Sequence, residues 1–342
     1  MTATAYVSND GNDYIALAFD DGQGAPTDTA DYTFVKWIDG STGVEHDRVE
    51  TAEREGGDGQ DMALAYVEHH TGRQTIVTYA RPEITHRLLA AALGAATITA
   101  SLGYTHDIWP VNAPRLVTAE TAAPGQSIIE QMNGGVISEI VIEAEHGKPL
   151  KLTAQYVGGG SPEARSVASA RTVSLESDAP FYFNTGSHSL AIAGDLEQDC
   201  EITRWTCTFT RALDEDVFGC GYGRRALPAL NRNVNVEVTR RYTNATQHNA
   251  ILYGAGASTV RTTVATGAFR SVLSNGQSGT LARTFQLDIP LMHLSPISRN
   301  VFEVDGQTVY EDVAGVALNA GTHLIHAAIG NALGTSVASG IV

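Results

Sequence analysis

The residue types able to do chemistry are few, and their spacing suits no familiar reaction. The three cysteines, Cys200, Cys207 and Cys220, form a C-x6-C-x12-C pattern, whereas zinc sites pair their ligands about two to four residues apart. Cys207 shares an alternating face with Trp205 and Phe209, the setting of a buried small hydrophobe. An odd, small cysteine count makes no disulfide framework, so reduced thiols are expected. His69-His70 and His323-x2-His326 have no carboxylate pair at ligand spacing and read as surface or barrel-lining histidines. Asp195, Glu197, Asp199 and Glu201 crowd one turn, but a calcium loop needs a denser oxygen cage around a fixed glycine. Gly219-Cys220-Gly221-Tyr222-Gly223 lacks the Lys-Ser/Thr of a phosphate loop and reads as a tight turn. GxGxxG, GxSxG and HExxH are absent. Nothing singles out a catalytic pair among the 38 acids. The expectation is no catalytic residue, no metal, no cofactor and no enzyme activity.

The elements that would position any such group read mostly as strands. From Gly135 to Gly158, Ile140, Ile142 and Ala144 alternate with Glu139, Val141 and Glu143. After the turn His146-Gly147-Lys148-Pro149, Leu150, Leu152, Ala154 and Tyr156 alternate with Lys151, Thr153 and Gln155. This predicts a hairpin with one face buried and one face polar. Further strands are expected to start with Leu190 and Ile192, at Glu201–Arg211, Asn233–Arg240, Arg73–Tyr79 and Tyr32–Trp37, and over Phe285, Leu287 and Ile289 up to Pro290. A second hairpin is expected across Gly306, from Val301–Asp305 to Thr308–Tyr310. One helix stands out at 82–94. Pro82 suits a first helical turn, Ile84, Leu88, Leu89 and Ala92 recur at helical spacing, and Gly94 closes it. Residues 39–61 carry eight acids against Arg48 and Arg54 and read as an acidic, solvated loop or a long mobile hairpin. Gly158–Ala170 reads as flexible.

Composition narrows the function classes. The chain has 342 residues, 43% hydrophobic and 18% charged, with a formal charge of −16. That is globular, and its sign disfavours a duplex reader. No run is long and apolar enough for a membrane helix, and the first residues do not follow a signal-peptide pattern. Asn244-Ala245-Thr246, a glycosylation pattern, therefore carries little weight. Lysine occurs only at 36, 148 and 151; low lysine with excess acid fits a high-salt host or a GC-rich genome. Arg81 precedes Gly94 by 13 residues and Arg241 precedes Gly254 by 13, an offset of 160. A duplicated strand–helix unit and a chance match both account for it.

In their order these stretches resemble the tail tube (major tail) proteins of long-tailed, siphovirus-like bacterial or archaeal viruses. The resemblance rests on Arg81-Pro82 with the helix Thr85–Gly94, on the hairpin Gly135–Gly158, and on Ser187–Gly194 followed by Cys200–Trp205 and Thr208–Arg211. It implies a mainly β fold of tail-tube β-sandwich or barrel type with short helices. The chain is longer than many such subunits, which with the 160-residue offset suggests two tandem tube-like domains, 1–125 and 126–342. The resemblance further implies a virion protein, made in the host cytoplasm and not inserted in a membrane. Its rings, trimeric rather than hexameric, would stack into the conduit for genome ejection. Its partners would be copies of itself, a tape-measure protein and tail-terminator or baseplate proteins, with viral DNA passing without specific binding. The alternatives are another β-rich virion component (capsid, decoration or baseplate hub protein) and a β-sandwich acting on glycans. The scattered aromatics, 7% in all, argue against the last.

Overall fold

The computed structural model describes residues 13–19, 32–50, 65–101, 103–113, 115–160, 163–166, 170–192, 201–217, 227–241, 246–254, 259–295, 298–299, 310–319, 321 and 323–331. In chain order the strands of the first half are β1 (Tyr14–Phe19), β2 (Thr33–Val35), β3 (Trp37–Glu50), β4 (Ala65–Tyr79), β5 (Gly94–Ser101), β6 (Gly103–Pro110), β7 (Val117–Ala123), β8 (Ile128–Glu145) and β9 (Lys151–Val157). Those that follow are β10 (Glu163–Ala164), β11 (Tyr182–Ile192), β12 (Ile202–Leu213), β13 (Ala229–Arg241), β14 (Ala265–Ser274), β15 (Thr284–Leu294), β16 (Ser298–Arg299), β17 (Tyr310–Ala317) and β18 (His326–Asn331). Helix α1 spans Pro82–Leu93 and α2 Thr246–Leu252. The fold is mainly β, and its strand ladders are antiparallel.

Two layers face each other. The first runs β3-β4-β9-β8-β12-β13-β17-β16. The second runs β11-β14-β15-β18-β6-β5. Strand alternation sends Ile140, Ile142, Leu152, Ala154, Trp205, Cys207, Phe209, Val236 and Val238 of the first layer inward, where all are buried. They meet Phe269, Phe285, Leu287, Ile289 and Ile329 of the second in one hydrophobic cluster. Trp205 packs edge-on against Phe269 at 5.5 Å and donates its indole N–H to His188 Nδ1 at 3.3 Å. A smaller sheet, β2-β1-β7-β8-β10, extends from the first half of β8.

Helix α1 packs on β8, β6 and β18. It starts at Pro82, whose missing N–H costs nothing in the first turn, and ends at Gly94. Gly94 has φ +105° and returns its N–H to Ala90 O. Ile84, Leu88, Leu89 and Leu93 are buried, each contributing about 1.5–3 kcal/mol of transfer free energy.

Long hairpin, helix and hairpin recur in that order: β3–β4, α1, β5–β6, then β12–β13, α2, β14–β15. Gly254, at the end of α2, has φ +90°, the same left-handed region as Gly94. β9 flanks β4 as β17 flanks β13, and β18 lies between β6 and β15. Position 125/126 falls in the turn between β7 and β8, which pair with each other, and the β4–β9 and β6–β18 ladders join strands from its two sides.

Several expectations need correction. Of the two readings of residues 39–61, the hairpin holds for 39–50 and the loop does not: they are most of β3, paired residue by residue with β4. A ribbon held by ladder hydrogen bonds needs no apolar alternation, so the acidic composition left both readings open. Residues 51–61 lie outside the described residues. Pro290 does not end its strand, because β15 continues to Leu294. The β14 register shifts between Gly267 and Phe269 there, β18 pairs only with 285–288 and β17 only with 292–294, so no neighbour needs the missing N–H. Gly158–Gly160 are fastened rather than loose: Gly158 N–H donates to Gly72 O at 2.8 Å, and the next two N–H groups donate to Asn133 O at 3.2 Å. The expected Tyr32–Trp37 strand is interrupted at Lys36. The segment expected to form a hairpin across Gly306 lies outside the described residues, except that Tyr310 opens β17.

Candidate functional site

The broadest surface the fold builds is the outer face of the first layer. Alternation that buries one side of β4, β9, β8, β12, β13 and β17 turns the other outward. The outward residues are Arg73, Thr75 and Tyr79; Lys151, Thr153 and Gln155; Glu139, Val141 and Glu143; Thr206, Thr208 and Thr210; Asn233, Asn235, Glu237 and Thr239; and Asp312, Ala314 and Val316. The register sets them in rows across the sheet, for example Glu143 beside Thr206 and Thr206 beside Glu237. Lys151 Nζ lies 2.8 Å from Glu143, whose other oxygen is 3.7 Å from Arg204. Thr239 donates to Asp312 at 2.6 Å and Thr75 to Gln155 Oε1 at 2.7 Å. The acids Glu139, Glu143, Glu237 and Asp312, with Glu215 paired to Arg73 at 2.7 Å, outnumber Arg73, Lys151, Arg204 and Arg241 by one, so these six strands present a face that is threonine-rich, polar and close to neutral.

At one end of the face, Tyr79, Glu143, Glu145, Lys148, Lys151 and Arg204 line a shallow cleft of about 280 Å³. The Lys148 ammonium, 2.8 Å away, holds the Glu145 carboxyl below its ordinary value. At the margins of the same layer apolar groups come to the surface. Trp37 and Ile38 on β3 are 42% and 47% exposed, Tyr310 and Val316 on β17 46% and 41%. The far edge of β3 carries no strand partner among the described residues. An open edge flanked by exposed aromatics is a template for pairing with another chain.

The groups scanned from sequence fall apart in space. Cys207 is buried, and burial pushes its thiol up to about 12, which makes it inert; Cys200 and Cys220 lie outside the described residues, as do Gly219–Gly223, the acids at 195, 197 and 199, and Asn244-Ala245. His323 stacks on Trp109. His326, which has no carboxylates near it in sequence, receives two from other strands: Asp107 of β6 at 3.2 Å and Asp288 of β15 at 3.7 Å. Asp288 chiefly, with Asp107, raises the imidazole pKa. The two carboxylates tie β18 to both neighbouring strands. Among the described residues no group of three His, Cys, Asp or Glu side chains is gathered for a metal, and no helix is long and apolar enough to cross a membrane.

Sequence reasoning missed the buried and half-buried charges. Glu120 of β7 is fully buried and meets Arg165 at 2.6 Å, Arg171 at 3.0 Å and the hydroxyl of Tyr14. Burial first, then the Glu120 hydrogen bond, push that hydroxyl up to about 12. Glu176 accepts the backbone N–H groups of Glu83 at 2.7 Å and Ile84 at 3.2 Å at the start of α1, a cap supplied from 93 residues away. Glu311 is buried between Arg240 and His248. Together they fasten 163–178, α1 and α2 to the sheets. No local pattern announces them, because each partner is remote in sequence.

No curated protein matches the chain. A family model described as phage tail tube protein matches residues 12–292. That span runs from β1 to most of β15, including α1 and its cap, the β3 edge and the polar face as far as β13, and leaves β16, β17 and β18 outside it. A mainly β sandwich with a proline-led helix and a wide polar sheet face accords with this match, and the chain belongs to the phage tail tube protein family.

Proposed function

We propose that this structural tail protein closes into rings of three chains that stack as the tail tube, with the polar face of the first layer lining the conduit for the genome. The observation that carries the reading is the eight-strand antiparallel layer whose β3 edge has no partner among the described residues, with exposed Trp37, Ile38, Tyr310 and Val316 at its margins. An open, partly apolar edge on an abundant virion protein is a hazard unless a copy of the same chain covers it. Closing β3 of one chain on the β16 end of the β16–β17 margin of the next, because β15 already holds the β17 edge at 315–317, turns three layers into one barrel of about 24 strands. At ~4.8 Å between strands and a tilt of ~40°, the backbone circle is about 50 Å across, leaving a lumen of about 40 Å. That is wider than a DNA duplex.

The recurrence of long hairpin, helix and hairpin, with left-handed glycines at 94 and 254, supports two tube-like units in each chain, tandem in sequence and sharing one sheet. Three chains then supply six pseudo-equivalent units. A threonine-rich, nearly neutral wall suits passage, since phosphate is held chiefly by net positive charge through counterion release. The acidic segment 39–61 is assigned the contact with the next ring. A tape-measure protein inside the lumen and terminator or baseplate proteins at the tube ends complete the partners; synthesis is in the host cytoplasm, and the chain does no catalysis. Imaging the concentrated full chain by negative-stain electron microscopy tests the reading. Hollow tubes or stacked rings support it; monodisperse particles of one chain at every concentration refute it.

A further inference from the structure

Arg211 and Arg232 face each other across the β12–β13 ladder, an arrangement of like charges that costs stability unless something lies between them. Arg211 is buried on the core face. Its Nη1 donates to Asn112 O at 3.1 Å, and its Nη2 lies 3.1 Å from Ala92 O and Leu93 O and 3.2 Å from Val111 O. Those carbonyls include the last of α1, so the guanidinium also answers the negative end of the helix dipole. This role leaves its Nε buried without an acceptor.

Arg232 donates through Nη2 to Asn112 Oδ1 at 3.3 Å, while its Nη1 is buried without an acceptor. A buried, unanswered N–H on a charged group carries a full desolvation cost. Neither guanidinium is ion-paired with a carboxylate among the described residues, although the chain holds 38 acids. Burial first, then the neighbouring Arg232, lower the Arg211 pKa to about 10. Arg115 of the same loop is lowered to about 10 by burial first and then by Arg87, which itself lies 3.9 Å from Glu83. Arg115, Arg211 and Arg232 thus lie in or beside this loop in a chain of charge −16. Asn112 and Ala113 beside them are exposed, so solvent reaches this loop.

We propose that the rim formed by Arg211, Arg232 and Asn112 seats an oxyanion of carboxylate or phosphate type, which takes up the N–H groups the chain leaves unanswered. Two sources have this chemistry: a free phosphate-type ion, or an acidic side chain of a second copy. The second rests on the self-assembly proposed above; the first does not.

The test uses the full chain, with inorganic phosphate as the probe against chloride at matched ionic strength. For a seat with a dissociation constant of ~1 mM, 10 mM phosphate raises the melting temperature of the unassembled chain by about 2–3 °C. Arg232→Gln abolishes that rise. If phosphate has no such effect but Arg232→Gln, folded by circular dichroism, fails to assemble where the native chain does, the seat takes a carboxylate of a second copy. A native chain indifferent to phosphate, together with an Arg232→Gln chain that assembles normally, overturns the proposal. Should Arg232→Gln not fold, the native chain decides: a phosphate-specific rise supports the seat, and its absence refutes it. A chain that forms no tubes yet gives the phosphate rise sinks the assembly reading and leaves the seat standing.

Discussion

Replacing Glu176 by glutamine should remove a pH dependence from the whole fold. The carboxylate sits at the start of α1, where Glu83 and Ile84 donate backbone N–H groups to it. Burial outweighs those hydrogen bonds and, with the nearby Glu83 and Asp178 charges, raises its pKa to about 7 from an ordinary 4.5. The folded chain therefore holds this proton more tightly than the unfolded chain does. Its contribution is fully present below about pH 4.5 and is lost as pH rises through 7. A shift of about 2.5 units corresponds to ~3 kcal/mol as an upper figure. Glutamine stays neutral throughout, so the difference between the two proteins isolates this group from His326 and the other titrating residues. Urea unfolding of both at pH 4.5, 6 and 8 provides the measurement. Between pH 4.5 and 8 the native chain should lose up to ~3 kcal/mol relative to Glu176→Gln. A difference that is flat, or that grows in favour of the native chain as pH rises, would refute the assignment of a buried, proton-holding cap.

The two left-handed glycines should respond unequally to alanine. Gly254→Ala has no atom nearer than 3.7 Å to its new methyl and should cost only about 1–2 kcal/mol of backbone strain. In Gly94→Ala the methyl would lie 2.6 Å from Val111 Cγ2 and 2.9 Å from Ala113 O, adding overpacking of about 1–3 kcal/mol; thermal melts of both variants check the order. Shortening residues 51–61 should leave the chain folded by circular dichroism and block tube growth; normal tubes from the shortened chain would contradict the proposed contact between rings. Glu139→Lys with Glu237→Lys should leave assembly intact and slow DNA passage at low salt, with partial recovery at high salt as screening weakens the new attraction. Ejection rate against ionic strength measures this.

What the sequence made legible was whatever local periodicity controls. The alternation of Ile140, Ile142 and Ala144, and of Leu152, Ala154 and Tyr156, located β8 and β9 within a few residues except at the start of β8. The proline and glycine of α1 located both its ends. β3 could be read only as one of two alternatives, a loop or a hairpin, because hydrogen bonding along a polar ribbon leaves no hydrophobic period. The full run of β15 was hidden because Pro290 breaks a strand only where a neighbour needs its N–H, and neighbours are a tertiary fact. The polar face could be listed residue by residue: Glu139, Glu143 and Glu237 do share it, while Glu201 lies before β12, its carbonyl taking the Arg241 N–H. The compensating Arg73, Lys151, Arg204 and Arg241 could not be assigned to the same face until register was known. Glu120, Glu176 and Arg211 act on partners from about 45 to 119 residues away, beyond the reach of any local pattern.

The central claim is that three chains, each with two tube-like units on one eight-strand layer, close a single barrel. Cryo-electron microscopy of assembled tubes, viewed down the axis and refined without imposed symmetry, tests it most directly. The account predicts rings that look sixfold at low resolution and resolve to threefold, with β3 of each chain paired to the β16–β17 margin of the next and the threonine-rich face inward. Rings of six chains, or a lumen lined by the other layer, would contradict it.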